Sequence, residues 1–595
     1  MRMVSRHIGC LLLSAALAHA TDFYVSPDGD DSHSGSLSEP LRTLSGARNL
    51  VRGLHSDLDE PVTVYFRGGR YPLTRMVEFT AQDSGTKEKP VTYQSFPNER
   101  PVISGGVRIT GWEVHDVDKN MYRAKAPATM FRQLYINQDR GIRARTPNRE
   151  SETSFGPYWK MQVPEKPVAL ISDEHWKAVE SIDDLSAIEI VMPIHWYQQR
   201  LRIGAHSHTA EGVRVTPLKP AGKFNKGIRF YDVPVFYFEN DPTFLDAPRE
   251  WFHDPESGLV FLVLEDGVHP RDLEIIAPQL ETLISIQGSA EAPVKNLRFI
   301  GLTLEHSNWT SPSVNGLNVT QFAQPNAVNP DGENPDYPQA VIRAIHAENL
   351  VLRENTIRNA GASGIQFLAN VDRADIEGNV VYNIAANGIE IDAHKMENAP
   401  PELKSTQVAI WNNRISRCGQ DYTNGGGILA HNVSELIIEH NHVFNMPYSG
   451  IQVGNQPGGE GREIGCVNNR IRFNHIHHCL QLHDDGGGIY TLGGVQEGTV
   501  IARNHIHDIV PTYLTGRYGI DLIYLDNFTS KALVKDNVVN GGKAEERNGS
   551  EGNTLINNTQ SNPEVETNAG IKPDYNPRIV AGQAAQDPRA ASPVR

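Results

Sequence analysis

The sequence predicts an all-β solenoid of the parallel β-helix type, from a repeat, from the short apolar runs within it and from its turn-forming residues. In the second half of the chain the pattern apolar-x-x-Asn-x-apolar-x-x-apolar recurs at intervals of 24 to 34 residues. The Asn residues of this column are Asn355, Asn379, Asn413, Asn441, Asn474, Asn504 and Asn537. Short β-like runs at such a period are typical of a solenoid whose coils stack on one another.

We interpret the Asn column as architecture. Inward side chains of a β-helix form apolar ladders, and polar side chains lie at the turns. Asn tolerates the left-handed conformation of tight turns and can hydrogen-bond to its neighbours in the coils above and below. Chemistry is therefore sought where acidic residues interrupt the repeat.

The composition fits a turn-rich β protein and excludes one class of partner. Of the 595 residues, 39% are hydrophobic, 51 are Gly and 37 are Pro, which is not the composition of a disordered chain. The net charge of −16 argues against a nucleic-acid partner, because phosphate binding requires a basic face.

Cys418 and Cys479 hold the same repeat position two coils apart, about 10 Å, which is beyond disulfide reach. We expect both to be apolar core residues.

Residues 1–20 are predicted to be a secretory signal peptide. Arg2 and Arg6 precede an apolar run that is too short to span a bilayer, and the segment ends in Ala-His-Ala, which fits a cleavage site. No later segment is predicted to be a membrane helix. The mature protein is expected to be secreted or periplasmic.

The rest of the chain divides into four predicted parts. Residues 21–106 form an N-terminal cap and the first coils, 107–290 an inserted, β-sandwich-like domain, 291–560 the main β-helix, and 561–595 a loosely packed tail. One amphipathic helix is predicted in the cap from apolar residues at helical spacing. These residues are Leu41, Leu44, Ala47, Leu50, Val51 and Leu54. A helix there would cover the open end of the solenoid.

Two segments carry carboxylates that the repeat does not require. Asp485 lies in Asp-Gly-Gly-Gly-Ile-Tyr, whereas the related run two coils earlier has Asn424 at that position. One coil later come Asp521 and Asp526. Glycoside hydrolysis requires a pair of carboxyl groups near one sugar, although Asp is also a common turn former. Alignment of the two segments separates Asp485 from Asp526 by seven positions along the strand, so a bend must bring them together.

Neighbouring polar and aromatic residues are candidates for substrate binding. Exposed aromatic rings can stack on sugars, and carboxylates and imidazoles can bind hydroxyl groups. The candidates are His483, Asp484, Tyr490, Asp521, Tyr524 and Trp309. Five further His residues occur in the same coils, namely His475, His477, His478, His505 and His507. We interpret these five as a stacked polar ladder because no tight metal-ligand spacing is present. Asp484 and Asp485 could contribute to a Ca²⁺ site, but no metal or cofactor is implied.

Four short segments resemble a known family. They are Phe23-Tyr-Val-Ser-Pro-Asp-Gly-Asp-Asp, Phe66-Arg-Gly-Gly-Arg-Tyr, Pro101-Val-Ile-Ser-Gly-Gly and Leu302-Thr-Leu-Glu-His-Ser-Asn-Trp. With these segments the chain resembles glycoside hydrolase family 141. The resemblance extends over most of the chain, including the predicted insertion. The resemblance implies a pectate-lyase-like, right-handed parallel β-helix that acts on polysaccharides as an α-L-fucosidase or a xylanase.

The resemblance also selects the catalytic residues. The family's paired Asp residues lie in motifs similar to Asp-Thr-Gly-Ala-Ile-Tyr and Ile-Tyr-Leu-Asp. Here the corresponding runs are Asp485-Gly-Gly-Gly-Ile-Tyr and Ile-Tyr-Leu-Asp526. The resemblance therefore implies catalysis by Asp485 and Asp526, with their roles unassigned.

Two alternatives use the same fold. A lyase or epimerase acting on uronic-acid polymers would need a cation beside the substrate carboxylate, for which Arg503, Arg517 and Lys535 are candidates. A non-catalytic carbohydrate-binding protein would bind without turnover. A polysaccharide or oligosaccharide is the expected partner in each case, and the sequence leaves the oligomeric state open.

Overall fold

A computed structural model describes most of the chain between residues 21 and 573. The described ranges are 21–54, 60–151, 154–165, 167–218, 234–317, 325–327, 336–391, 400–454, 460–461, 463–509 and 519–573. The predicted signal peptide, the end of the predicted tail and Arg517 lie outside them. Within these ranges, no helix has the length and apolar character needed to cross a membrane.

Three long parallel sheets form the body of the molecule, and the chain visits them in the order A, B, C in each complete coil. Sheet A contains Thr21–Val25, Val62–Phe66, Val91–Ser95, Leu297–Ile300, Val351–Arg353, Asp375–Glu377, Ala409–Trp411, Ile437–Glu439, Arg470–Arg472, Val500–Ala502, Leu533–Lys535 and Thr554–Ile556. Sheet B contains Gly69–Pro72, Pro101–Ser104, Thr303–Glu305, Thr356–Ala360, Val380–Ile384, Arg414–Ser416, His442–Phe444, His475–His477, His505–His507 and Val538–Val539. Sheet C contains Val77–Phe79, Ile284–Gln287, Ala340–Ile345, Ser363–Phe367, Ile389–Ile391, Ile428–Ala430, Ile451–Gly454, Gly486–Leu492, Ile520–Asp526 and Ala544–Glu546.

A short fourth parallel sheet joins Val294–Lys295, Ala347–Glu348 and Val371–Asp372. The solenoid core consists of inward apolar side chains stacked in register from coil to coil. In sheet A, for example, Ile376 pairs with Ile410 and Ile410 with Ile438, and all three are fully buried. The predicted parallel β-helix is confirmed.

The Asn column forms a hydrogen-bonded ladder at the turn between sheets A and B. Asn379 Oδ1 accepts from the backbone N–H and the side-chain amide of Asn355, at 2.9 and 3.2 Å, and Asn379 Nδ2 donates to Leu352 O at 2.8 Å. The same pattern continues down the column and ends on Asn558, which the sequence repeat did not include. The ladder supplies partners for buried polar groups that would otherwise destabilise the turn.

One detail of the turn differs from the sequence interpretation. The left-handed conformation falls on the residue before each ladder Asn, with φ of 54° at Glu354, 57° at His440 and 55° at Arg503. No ladder Asn among the described residues has a positive φ. The Asn is selected for its amide, which bonds both neighbouring coils, and not for its tolerance of that conformation.

The cap helix, Leu44–Leu54, is shorter than its apolar spacing suggests. Thr43 Oγ1 accepts from Gly46 N–H at 2.9 Å and donates to Asp31 Oδ2 at 2.6 Å, as expected of an N-terminal capping residue. Leu41 therefore lies outside the helix. Leu44, Ala47 and Val51 are buried in the core of the first coils. The other helical elements of the described residues are three shorter α-helices, Asp173–Trp176, Ser311–Asn315 and Pro563–Asn568, and five 3₁₀ turns, Ala81–Asp83, Leu185–Ala187, Pro242–Phe244, Pro270–Asp272 and Pro401–Leu403.

Between the coils of residues 101–104 and 284–305, the chain forms three mainly antiparallel sheets. The four-stranded sheet contains Asp139–Arg140, Tyr135–Ile136, Ile275–Pro278 and Gly106–Arg108. The five-stranded sheet contains Ile142–Arg143, Glu250–Asp254, Leu259–Val263, Met121–Lys125 and Glu113–Asp116. The eight-stranded sheet contains Arg145–Thr146, Val235–Glu239, Glu189–Ile194, Tyr197–Thr209, Gly212–Pro217, Val168–Ile171, Gln162–Glu165 and Trp159–Lys160. The β-helix resumes at Ile284, which pairs with Val77 and Ile342, a few residues before the expected boundary.

A buried network of charged side chains lies within this insertion. Glu189 accepts from Arg132 and Arg143 at 2.7 Å and from Arg200 at 3.1 Å. Glu239 accepts from Arg143 at 2.9 Å and from Arg200 at 2.8 Å. Burial opposes ionisation, but the charges of the three Arg residues hold the pKa of Glu189 well below its usual range. Glu189 is therefore a buried anion whose charge is balanced by guanidinium groups.

The same network attaches the insertion to the β-helix. Arg200 donates to Asp421 O at 3.0 Å, and Arg140 donates to Asp421 Oδ2 at 2.6 Å. Arg140 also donates to Ala360 O and Asn383 O at 2.9 and 3.2 Å. Since Asp421, Ala360 and Asn383 belong to coils of the solenoid, the insertion packs along its side.

The three described Cys residues are buried and form no disulfide among the described residues. Cys418 and Cys479 lie in the apolar core of the solenoid, as expected from their repeat position. Burial raises the pKa of both thiols. They are packing residues.

Candidate active site

The two selected carboxylates lie at opposite ends of neighbouring strands of sheet C. Asp485 directly precedes Gly486–Leu492, and Asp526 is the last residue of Ile520–Asp526. The strands pair with Tyr490 opposite Tyr524 and Leu492 opposite Asp526. This register preserves the predicted seven-residue offset between Asp485 and Asp526.

The two strands keep one register between the two Asp residues, from Gly487–Asp521 through Ile489–Ile523 to Leu492–Asp526. No shift of register supplies the bend that was expected from the offset of the two carboxylates. Side chains connect them instead.

Two Tyr residues connect the carboxylates across the coils. The rings of Tyr490 and Tyr524 stack with centroids 5.3 Å apart. The Tyr524 hydroxyl donates to Asp485 Oδ1 at 2.9 Å, and the Tyr490 hydroxyl donates to Asp526 Oδ2 at 2.7 Å. Each Tyr thus bonds the Asp of the other coil, and the four side chains form one crossed cluster on the outer face of sheet C.

Asp485 is a buried carboxyl group whose pKa lies well above its usual range. It is 4% exposed and adopts the left-handed conformation, with φ of 55°. The buried Tyr448 hydroxyl donates to its backbone carbonyl at 2.8 Å and fixes the turn. Burial, followed by repulsion from the charge of Asp526, raises the pKa of Asp485 to about 7, and the bond from Tyr524 opposes the shift.

Asp526 is held in a different environment. It is fully buried, and burial raises its pKa, but hydrogen bonds from Tyr490 and Asn548 favour its ionised form. Asn548 Nδ2 donates to Asp526 Oδ1 at 2.5 Å. Both carboxyl oxygens of Asp526 therefore accept hydrogen bonds. Two carboxyl groups held in different environments can divide acid and base roles.

The insertion contributes a residue to this region that the sequence did not predict. His195 Nδ1 lies 2.7 Å from Asp484 Oδ1, and its backbone carbonyl accepts from Asp484 N–H at 2.9 Å. The same carbonyl lies 3.0 Å from His483 Nδ1, while His483 Nε2 lies 2.8 Å from Thr423 Oγ1. His483 and Asp484 are buried and hold the insertion against the turn that carries Asp485. Since no repeat relates His195 to these residues, the contact carries no sequence signal.

Asp521 lies on the same strand as Asp526 but is paired differently. Arg547 Nε donates to Asp521 Oδ2 at 3.0 Å, and its Nη2 lies 2.8 Å from Glu545 Oε2. Burial raises the pKa of Asp521, and the bond and charge of Arg547 oppose that shift. Arg547 and Asn548 come from one further coil, where the sequence shows no departure that would mark them.

Several neighbouring candidates are not placed as expected, whereas the five His residues belong to the stacked row that was expected. Trp309 is 1% exposed and packs against Tyr422, with ring centroids 4.8 Å apart, so it is a core residue. Tyr490 and Tyr524 are also buried and act through their hydroxyls. The five His residues lie on sheet B or in the turn after it, away from the carboxylates on sheet C, because residues in register along one column stay on one sheet. Arg503 stacks on Phe473, and Lys535 lies in sheet A, so neither is with the carboxylates.

An unpaired polar side chain extends the outer face of sheet C beside the cluster. Gln452 pairs in register with Tyr490 and is fully buried. Among the described residues, neither its Oε1 nor its Nε2 has a hydrogen-bond partner. A buried amide without partners is costly, and it offers both a donor and an acceptor to a hydroxyl-rich ligand.

Comparison with known proteins agrees with this architecture. Residues 339–459 match the family model "Right handed beta helix region". A solved structure described as "Glycoside hydrolase" superposes with a TM-score of 0.84, covering 94% of this chain and 100% of that one at 24% sequence identity. The chain is a right-handed parallel β-helix.

Two curated proteins match short segments only. "Uncharacterized protein YwoF" of Bacillus subtilis is 38% identical over 82 residues, and "Pectate lyase PEL9" of Emericella nidulans is 33% identical over 86 residues. The matches cover 14% of this chain in each case, and 15% and 19% of those proteins. They are consistent with the fold.

Proposed function

We propose that this protein is a glycoside hydrolase in which Asp485 is the general acid and Asp526 is its ionised partner. One observation carries the proposal: two carboxyl groups from adjacent coils share a crossed cluster, one with its pKa raised to about 7 and the other accepting hydrogen bonds at both oxygens. A protonated acid beside an ionised carboxylate is the arrangement that glycoside hydrolysis uses.

The substrate class follows from the same surface and from the similarities. The unpaired amide of Gln452 and the hydroxyls of the cluster suit a ligand rich in hydroxyl groups. The extensive similarity to a structure described as a glycoside hydrolase supports a carbohydrate substrate. The resemblance to family 141 favours an α-L-fucoside or a xylan, handled by an exported protein that is secreted or periplasmic.

A lyase or epimerase is less favoured by the charges at the site. Such an enzyme neutralises a uronate carboxylate with a cation before it removes the neighbouring proton. Arg547, the described cation that bonds to Asp521 on the same strand as Asp526, is already paired with Asp521 and Glu545. This pairing makes its guanidinium less available to a substrate carboxylate.

The first prediction distinguishes these chemistries by their products. We expect oligosaccharides with new reducing ends and incorporation of one oxygen from ¹⁸O-labelled water when the protein is given a panel of aryl α-L-fucosides, xylans and pectic uronans. Mass spectrometry and ultraviolet absorbance report the two outcomes. A product with a conjugated double bond and no label would contradict hydrolysis, and binding to these substrates without any product would favour the non-catalytic alternative.

The second prediction concerns pH. If Asp485 must be protonated, kcat/KM falls as the pH rises through about 7, the pKa of Asp485, and it falls again at acidic pH as Asp526 takes up a proton. Replacing Tyr524 by Phe removes a bond that favours ionised Asp485, so the pKa rises and the basic limb moves to higher pH. A basic limb that stays in place or moves to lower pH in Tyr524→Phe would exclude Asp485 as the acid.

A further inference from the structure

Two columns of stacked rings cover the outer face of sheet B near the C-terminal end of the solenoid. The register of three successive strands places His442, His475 and His505 in one column and Phe444, His477 and His507 in the other. Neighbouring rings of the first column lie 4.8 and 5.1 Å apart and are almost parallel. This face is separate from sheet C, which carries the carboxylates.

Three of these imidazoles converge. His505 and His507 are two residues apart on one strand, so both side chains leave the same face, and His475 stands beside His505 on the preceding strand. One nitrogen of each lies within 4.8 Å of the other two, and His475 Nε2 is 2.7 Å from His507 Nε2. Two His residues separated by one residue on a strand can therefore bind the same metal ion, a spacing that the sequence interpretation did not consider.

A carboxylate orients one of the three rings. Asp508 Oδ2 lies 2.7 Å from His507 Nδ1, which leaves His507 Nε2 directed at His475. Metal-bound His residues commonly donate their second ring N–H to a carboxylate. A second convergent set, His442, His475 and His477, lacks this feature, because His477 Nδ1 faces another imidazole, His478 Nδ1, at 2.6 Å.

The protonation state also suits a metal. Burial, and then the charges of neighbouring His residues, lower the pKa of His475 to about 3 and lower that of His505. At neutral pH His475 and His505 are therefore uncharged, as metal binding requires.

We propose that His475, His505 and His507 bind one divalent transition-metal ion, with Zn²⁺ as the best fit, and that the ion links two coils. Four-coordinate zinc sites with three imidazole ligands and a fourth position open to water are well established. Tetrahedral coordination at about 2.0–2.1 Å separates the nitrogens by about 3.3 Å, so binding opens the short His475–His507 contact and draws in the longer ones by side-chain rotation. This replaces the earlier expectation that the row is architecture alone.

The position of the ion predicts a structural role. The C-terminal segment after helix Pro563–Asn568 packs against the same coils, where Gly570 N–H donates to Phe473 O at 2.7 Å and Gly570 O lies 3.1 Å from His440 Nδ1. An ion that joins the coil of His475 to the coil of His505 therefore stabilises the final coils and the segment that covers them.

The test is a Zn²⁺ titration of the full chain after dialysis against EDTA. We expect calorimetry and elemental analysis to give one Zn²⁺ per chain, an upward shift in Tm with Zn²⁺ and none with Mg²⁺. The His507→Phe variant should lose most of the affinity, and Asp508→Asn should lower it about 10- to 100-fold. Phe is a conservative choice because Phe444 occupies the same column one coil before His477, so stacking is kept while the ligand nitrogen is removed.

The matched control is His442→Phe, which changes the other end of the ladder. It should bind Zn²⁺ like the wild-type protein. Wild-type affinity in His507→Phe would overturn the proposal, as would loss of binding in His442→Phe with binding retained in His507→Phe. Circular dichroism of each apo variant identifies one that fails to fold, and Asp508→Asn, which removes no ring from the ladder, then decides the question.

Discussion

Replacement of either Asp485 or Asp526 by Asn is expected to reduce kcat by about 10²- to 10⁴-fold, the contribution of a positioned acid or base. The two variants should differ in their dependence on the leaving group. The leaving group of an activated aryl glycoside departs without being protonated, so Asp485→Asn should recover much of its activity on such a substrate. Asp526→Asn should not, because its partner role acts at the sugar and not at the leaving group.

Controls separate chemistry from folding. Asp375→Asn replaces a half-buried carboxylate on sheet A, several coils before the cluster on sheet C. This variant should keep wild-type activity. Because the pKa of Asp485 is raised in the folded state, its ionisation destabilises the fold as the pH rises from about 4 to about 7. Asp485→Asn removes that penalty and should be at least as stable as the wild type at pH 8. Full activity of both Asn variants on a substrate that the wild type cleaves would refute the assignment.

The second large effect is expected on stability. Glu189→Gln removes the anion shared by the buried Arg132 and Arg200 and the partly buried Arg143. It should destabilise the protein by about 3–5 kcal/mol, the cost of leaving buried charges unpaired. Glu239 would then be the remaining anion for Arg143 and Arg200. Chemical denaturation, followed by the Trp fluorescence of the insertion, measures the change.

An exposed pair serves as the control for this variant. Glu497 lies 3.1 Å from Lys531, and both side chains are more than half exposed. Glu497→Gln should change stability by less than about 1 kcal/mol, because solvent screens such a pair. If Glu189→Gln and Glu497→Gln shift the denaturation midpoint equally, the buried network does not hold the insertion on the β-helix.

The sequence predicted the parts of the fold that repeat. The spacing of Asn355, Asn379 and the later ladder residues predicted the coils, because stacking imposes the same requirement in each one. The cap helix was also predictable, but its start was not, since Thr43 and Asp31 fix it through contacts between side chains distant in sequence. Residues without a repeated partner, such as His195, were missed for the same reason.

The candidate site followed the same division. Asp485 and Asp526 were recognisable because their coils depart from the repeat and resemble family motifs. Whether a side chain is exposed was not recognisable. His483 and Asp484 are buried against His195 of an insertion that lies hundreds of residues away in sequence, and Trp309 is buried against Tyr422. Asn548 supports Asp526 from a coil with no distinguishing pattern, and only the three-dimensional register connects them.

The crossed bonds between Tyr490 and Asp526 and between Tyr524 and Asp485 have an evolutionary consequence. Solenoids gain and lose coils by duplication and deletion, because each coil contacts only its neighbours. A coil gained between these two strands would separate the partners by about 4.8 Å and break both bonds. The contact of His195 with Asp484 likewise fixes the number of coils between the insertion and the site. Homologues that keep this chemistry should therefore have a constant number of coils before the position of Asn548 and a variable number after it.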